Sequence, residues 1–147
     1  MDHSITRTLA IVGATFAAMT VNTAAMADSH MMSHGLMMPQ MDPENGRALF
    51  AAKGCVVCHS INGIGGEDAP MLDAEFMDTL MNPFEFAARM WRGAEVMVKM
   101  QKDELGMPIE LTGQELADII AFVHDPAEQA KFSHDDIPEN IANLMAN

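Results

Sequence analysis

Cys55-Val56-Val57-Cys58-His59 contains the only two cysteines of the chain. Two thiols three positions apart, followed at once by an imidazole, admit three kinds of chemistry. In an exported chain the pair could close a plain disulfide. A reversible Cys-x-x-Cys bridge would belong to a thiol oxidoreductase, which is normally built on βαβ units. This chain has no run of β-branched strands and no Tyr at all. The third chemistry uses all three side chains. Cys55 and Cys58 add as thioethers to the two vinyl groups of one haem, and His59 offers its imidazole to the iron from the same side. The adjacent His59 favours this third reading, with one covalent haem c as cofactor and His59 as the proximal iron ligand.

A ligand for the second axial position must come from further along the chain. There are 16 methionines, so their number decides nothing, and most are expected to fill gaps in the core. Three are placed to reach an open haem face: Met97, Met100 and Met107. Met97 and Met100 lie three apart on one predicted helix and so on neighbouring faces. Met107 stands in a loop before Pro108. The preference runs in the order Met97, Met100, Met107, and each has packing in the core as its alternative. Trp91, the only tryptophan, is expected against the haem edge, with its indole N–H able to donate to a propionate. Arg89 and Arg92 beside it could pair with propionates or lie on an exposed helix face. His124 and His134 are assigned no metal. In the stretch before residue 42, His30, His34, Met31, Met32, Met37, Met38 and Met41 have the soft donors that suit Cu(I), against the plainer reading of a mobile linker.

The elements that must position these residues read as helices. Asp42 is a good N-cap, with Pro43 at the first helical position and Glu44 in the first turn, and this helix stops at Gly54 just ahead of the motif. From Ile61 to Pro70, three glycines and a proline predict a loop with no regular element. A short helix is expected from Asp73 to Leu80. Asn82-Pro83 opens a longer one carrying Met90, Trp91, Met97 and Met100, with Gly93 as an interruption and Gly106-Met107-Pro108 as its end. Thr112-Gly-Gln-Glu115 is a capping box for an amphipathic helix with Leu116, Ile119, Ile120 and Val123 on one side. Residues 126–147 are polar and acidic, with one final short helix suggested by Ile137-Pro138, Ile141, Leu144 and Met145. The fold class is all-α. So small a core gains stability by wrapping an apolar cofactor.

With these residues in hand, the sequence resembles a monohaem class I cytochrome c from about Asp42 to Val123. Gly46-x-x-x-Phe50 ahead of the motif is similar to that family's first helix, where such residues pack on the C-terminal helix, here around Phe122. Pro70-Met71-Leu72 resembles the family's Pro-Leu segment. By that resemblance the Pro70 carbonyl accepts a hydrogen bond from His59 Nδ1–H, which fixes the imidazole and strengthens it as a ligand. Met90-Trp91, then Met97, then Leu111-Thr112-Gly113-Gln114-Glu115 is similar to a bacterial subgroup of these proteins with a Met-Trp…Met helix. The sequence departs from that subgroup at Arg92-Gly93-Ala94-Glu95 and at Gln101. The resemblance implies a class I cytochrome c-like fold around one haem, with His/Met axial ligation.

Residues 1–27 read as a cleavable signal peptide. Their apolar stretch, Leu9 to Val21, is shorter than the roughly 20 residues of a membrane span, and Ala25-Met26-Ala27 fits the cleavage pattern. A mobile Met/His-rich leader over 28–41, a haem domain over 42–125 and an acidic extension over 126–147 follow. The mature chain is expected to be periplasmic, without a membrane span. The net charge is −13. It is concentrated after Lys102, where ten acidic residues face only Lys131. Nucleic acid is thereby excluded as a partner, since phosphate binding needs clustered Lys and Arg. The expected partners are redox proteins with basic docking surfaces, a dehydrogenase as donor and an oxidase or reductase as acceptor. The primary reading is a soluble one-electron carrier and not an enzyme. The alternatives are a cytochrome subunit of a periplasmic dehydrogenase, and a haem sensor or catalyst with a labile distal site.

Overall fold

The computed structural model describes residues 35–146. The signal-peptide reading and the first half of the leader, with His30, His34, Met31 and Met32, lie outside these residues. Helix α1 spans Pro43–Ala52 and begins as its sequence dictates, with the Asp42 carboxylate accepting the Asn45 N–H at 3.1 Å. The Cys55–Val57 turn follows. Helices α2 (Pro83–Arg92) and α3 (Ala94–Glu104) come next, then α4 (Gly113–His124), α5 (Pro126–Gln129) and α6 (Glu139–Met145). Gly93 separates α2 from α3, which is where the interruption was expected. The capping box of α4 is closed in both directions. Thr112 Oγ1 accepts from Glu115 N–H at 3.2 Å, and Glu115 Oε2 accepts from Thr112 N–H at 2.8 Å.

The core forms where α1 crosses α4. Gly46 lies against the Asp118 main chain, and a Cβ there would also stand 2.9 Å from the Phe122 Cβ. That close approach lets Phe50 and Phe122 meet with ring centroids 5.8 Å apart. A third ring, Phe132, sits edge-on to Phe50 at 5.6 Å and to Phe122 at 5.8 Å. Phe132 belongs to the acidic C-terminal stretch, so this stretch is packed into the core and contributes more than one short helix. Arg47 of α1 also reaches into it, bonding Glu128 at 2.8 Å and pairing with Asp136.

Two local expectations are corrected. The stretch after the motif is not wholly irregular: Ser60–Ile61 (β1) and Ile64–Gly65 (β2) pair antiparallel, Ile61 opposite Ile64. The two-residue turn between them holds Asn62 at φ 52° and Gly63 at φ 76°, the left-handed geometry that Asn-Gly adopts most readily in a hairpin. The expected helix over Asp73–Leu80 shrinks to one turn, Ala74–Phe76. Its would-be cap is engaged elsewhere. Asp73 Oδ1 accepts from the Asn62 N–H at 2.8 Å, and the Ala74 N–H donates to Gln129 Oε1 at 2.8 Å. Met77, which closes this turn, has an extended backbone.

Candidate functional site

The turn after α1 sets the geometry of the motif. The Cys55 carbonyl accepts from both the Cys58 N–H, at 3.3 Å, and the His59 N–H, at 3.0 Å. This winding brings Cys55, Cys58 and His59 to one cavity of about 590 Å³. Its size is within the roughly 300–1,000 Å³ typical of cofactor sites, and its lining is predominantly apolar. Leu72, Phe86, Leu116 and Ile119 are among the walls.

No disulfide joins Cys55 and Cys58. Burial pushes the Cys55 thiol up to about 11, and Cys58 adds to the shift. Burial also raises Cys58, with Asp68 and Glu104 contributing. A dithiol redox site needs a thiolate near neutral pH, and this environment disfavours one. Addition across a vinyl group, by contrast, consumes the thiols and removes their titration. His59 is oriented by its neighbour: Nδ1–H donates to the Pro70 carbonyl at 2.7 Å, the bond expected from the family resemblance. An imidazole so held keeps its Nε2 lone pair for a metal. The residues present therefore fit a covalent haem.

Helices α2 and α3 supply another wall. Arg89 and Met90, Gly93, Val96 and Met97, and Met100 and Gln101 all line the cavity. These positions recur at intervals of three and four, so one continuous face runs across the Gly93 break. Met97 and Met100 both stand on that face. Met107 does not line the cavity and is 67% exposed. Trp91 falls off the inward face too: it is 82% exposed and absent from the lining, unlike its expected place at the haem edge. Position 91 follows Met90 by one, which in a helix turns a side chain about 100° away. Arg89 lines the cavity while bonding Asp78 at 2.7 Å and Glu85 at 3.3 Å. Arg92 pairs with Glu85 at 3.4 Å outside it.

Gln129 and Asn62 have no role in the sequence pattern, yet Gln129 bonds Leu72 and Ala74, and Asn62 bonds Asp73 and the Gln129 carbonyl. Only the Asn-Gly pair carries a local signal.

No helix among the described residues is long and apolar enough to cross a membrane. Neither a curated protein nor a solved structure matches the chain. The sequence model of one family, described as Cytochrome c, matches residues 43–125, more than half of the chain. The family's function is haem-based electron transfer between redox partners, typically as a carrier rather than an enzyme. The match covers α1 through α4 and so includes every wall of the cavity named above. With its helical fold and its Cys-x-x-Cys-His turn, the chain belongs to the cytochrome c family, as a monohaem class I member with haem c as its cofactor.

Proposed function

We propose that this protein is a one-electron carrier whose haem would be held by Cys55 and Cys58, with His59 and a methionine of α3 as the ligands to its iron. The observation that carries the reading is the single apolar cavity shared by Cys55, Cys58, His59, Met97 and Met100. When bound, the haem supplies the Fe(III)/Fe(II) couple. Cys55 and Cys58 would hold the haem through their sulfurs, which would keep it attached in so small a domain. The Pro70 carbonyl holds His59 by Nδ1–H and keeps Nε2 directed to the metal. A thioether is a soft donor that favours the reduced state. With His59 and a methionine both ligating the iron, no position would stay open for a substrate, which suits electron transfer rather than catalysis. Met97 is preferred over Met100 on its place in the Met-Trp…Met pattern. Partners with basic docking surfaces, and export to the periplasm by residues 1–27, complete the reading. Their support is the charge of −13 and the apolar stretch before Ala25-Met26-Ala27.

Three variants of the haem-loaded protein test the ligand assignment side by side. Met97→Ala or Met100→Ala should lose the weak far-red sulfur-to-iron band and bind CO rapidly on reduction. Met107→Ala should behave as the parent. If Met107→Ala alone opens the iron, the assignment to α3 is wrong. If none of the three changes the spectrum, the assignment to α3 is wrong as well, and the other methionines of the lining, Met71, Met77 and Met90, are substituted next.

A further inference from the structure

We infer that Gln129, beyond the end of the cytochrome c match, is a positioning residue for His59. The inference rests on the reading of His59 as iron ligand. Gln129 is 2% exposed, and its side-chain amide is used at both ends. Nε2 donates to the Leu72 carbonyl at 2.9 Å, and Oε1 accepts from the Ala74 N–H at 2.8 Å. Its own main-chain carbonyl accepts from Asn62 Nδ2 at 3.0 Å. One side chain thus clasps residues 72–74 and, through the backbone, the hairpin turn beside the motif.

Pro70 lies just ahead of the clasped segment. The Pro70 carbonyl shares one rigid peptide plane with the Met71 N–H, so its direction is set by how the residues on either side are held. On one side the Ala69 N–H donates to the Cys58 carbonyl at 3.0 Å. On the other the Leu72 N–H donates to the Ser60 carbonyl at 2.8 Å, and Gln129 holds the Leu72 carbonyl and the Ala74 N–H. The clasp has a firm base. The Asp125 carboxylate caps α5 through the Ala127 and Glu128 N–H groups, each at 2.9 Å, and Arg47 ties Glu128 and Asp136 to α1. The C-terminal segment therefore fixes the Pro70 carbonyl, and with it the hydrogen bond that sets the donor strength of the imidazole. Weakening that bond makes His59 a poorer donor and stabilises the reduced iron.

The test uses the full haem-loaded chain. Gln129→Met keeps the volume and removes both hydrogen bonds. Phe132→Leu loosens the same segment without touching residues 72–74. Gln129→Met should raise the reduction potential and speed solvent exchange of the His59 Nδ1–H in the reduced protein by about fivefold, the weight of one hydrogen bond. Phe132→Leu should lower the melting temperature and leave both readings as in the parent. Should Gln129→Met move neither reading, or Phe132→Leu move them equally, Gln129 has only a structural role. If Gln129→Met does not fold, native-state hydrogen exchange on the parent decides the same question. The Ala74 amide and the His59 Nδ1–H should open in one step, and protection of His59 that outlasts Ala74 overturns the inference. A parent spectrum that persists in His59→Gly would instead remove the ligand reading itself, and the clasp's role with it.

Discussion

A carboxylate with 2% exposure usually pays for its burial in lost hydration, and Asp118 shows how that loss is offset. Burial pushes its carboxyl up, but three hydrogen bonds outweigh the burial and hold it below the usual range. They come from the Asn45 amide at 2.8 Å, the Asp42 N–H at 3.0 Å and the Gln114 amide at 2.7 Å. The unfolded chain protonates this group near pH 3.9. A depressed folded value means that the stabilisation is complete above that pH and is lost as pH falls through the folded value. Asp118→Asn removes the charge and replaces one acceptor oxygen, so that an amide N–H faces a donor that had bonded the carboxylate. It should cost about 1–3 kcal/mol at pH 7, with the gap to the parent closing below about pH 4. Denaturant titrations of both proteins across that range check it, and a gap that does not change with pH would show that the charge contributes nothing.

The crossing of α1 and α4 is the element on which the motif depends, because α1 ends directly before Cys55. Its closeness rests on Gly46, where a methyl group would run into the Asp118 backbone. Gly46→Ala has the better intrinsic helix propensity, yet it should cost about 3 kcal/mol through overpacking. Chemical denaturation of the haem-loaded variant measures this, and a neutral result would mean that the helices can slide apart freely. The helices themselves were legible because their signals are local. Asp42-Pro43, Asn82-Pro83 and Thr112…Glu115 each mark a start within four residues, and each start is observed. The motif was legible for the same reason. What escaped depends on distant partners: Asp73 and Ala74 give their cap groups to Asn62 and Gln129, so the expected helix collapses to a turn. Trp91 was placed at the site by its chemistry, but its phase on α2 turns it outward. Gln129 lay in a polar stretch with nothing local to show that it reaches back to Leu72 and Ala74.

At the scale of the whole molecule, the charge of −13 and the apolar cavity serve different steps. Charge guides approach, and the cavity keeps the redox centre dry enough for transfer. Electron transfer with a partner presenting a basic face should slow several-fold as the salt rises from about 0.01 to 0.15 M, because the Debye length falls from about 30 to 8 Å. Stopped-flow rates against ionic strength follow this, and a rate that rises with salt would point to a partner of acidic surface. On the function proposed above, His59 and a methionine would both ligate the iron of a covalently held haem. The optical spectrum of the oxidised parent, followed by reduction under CO, tests it most directly. The account predicts a low-spin ferric spectrum with a far-red sulfur-to-iron band and no rapid CO binding. A high-spin ferric spectrum, or immediate formation of the CO adduct, would contradict it.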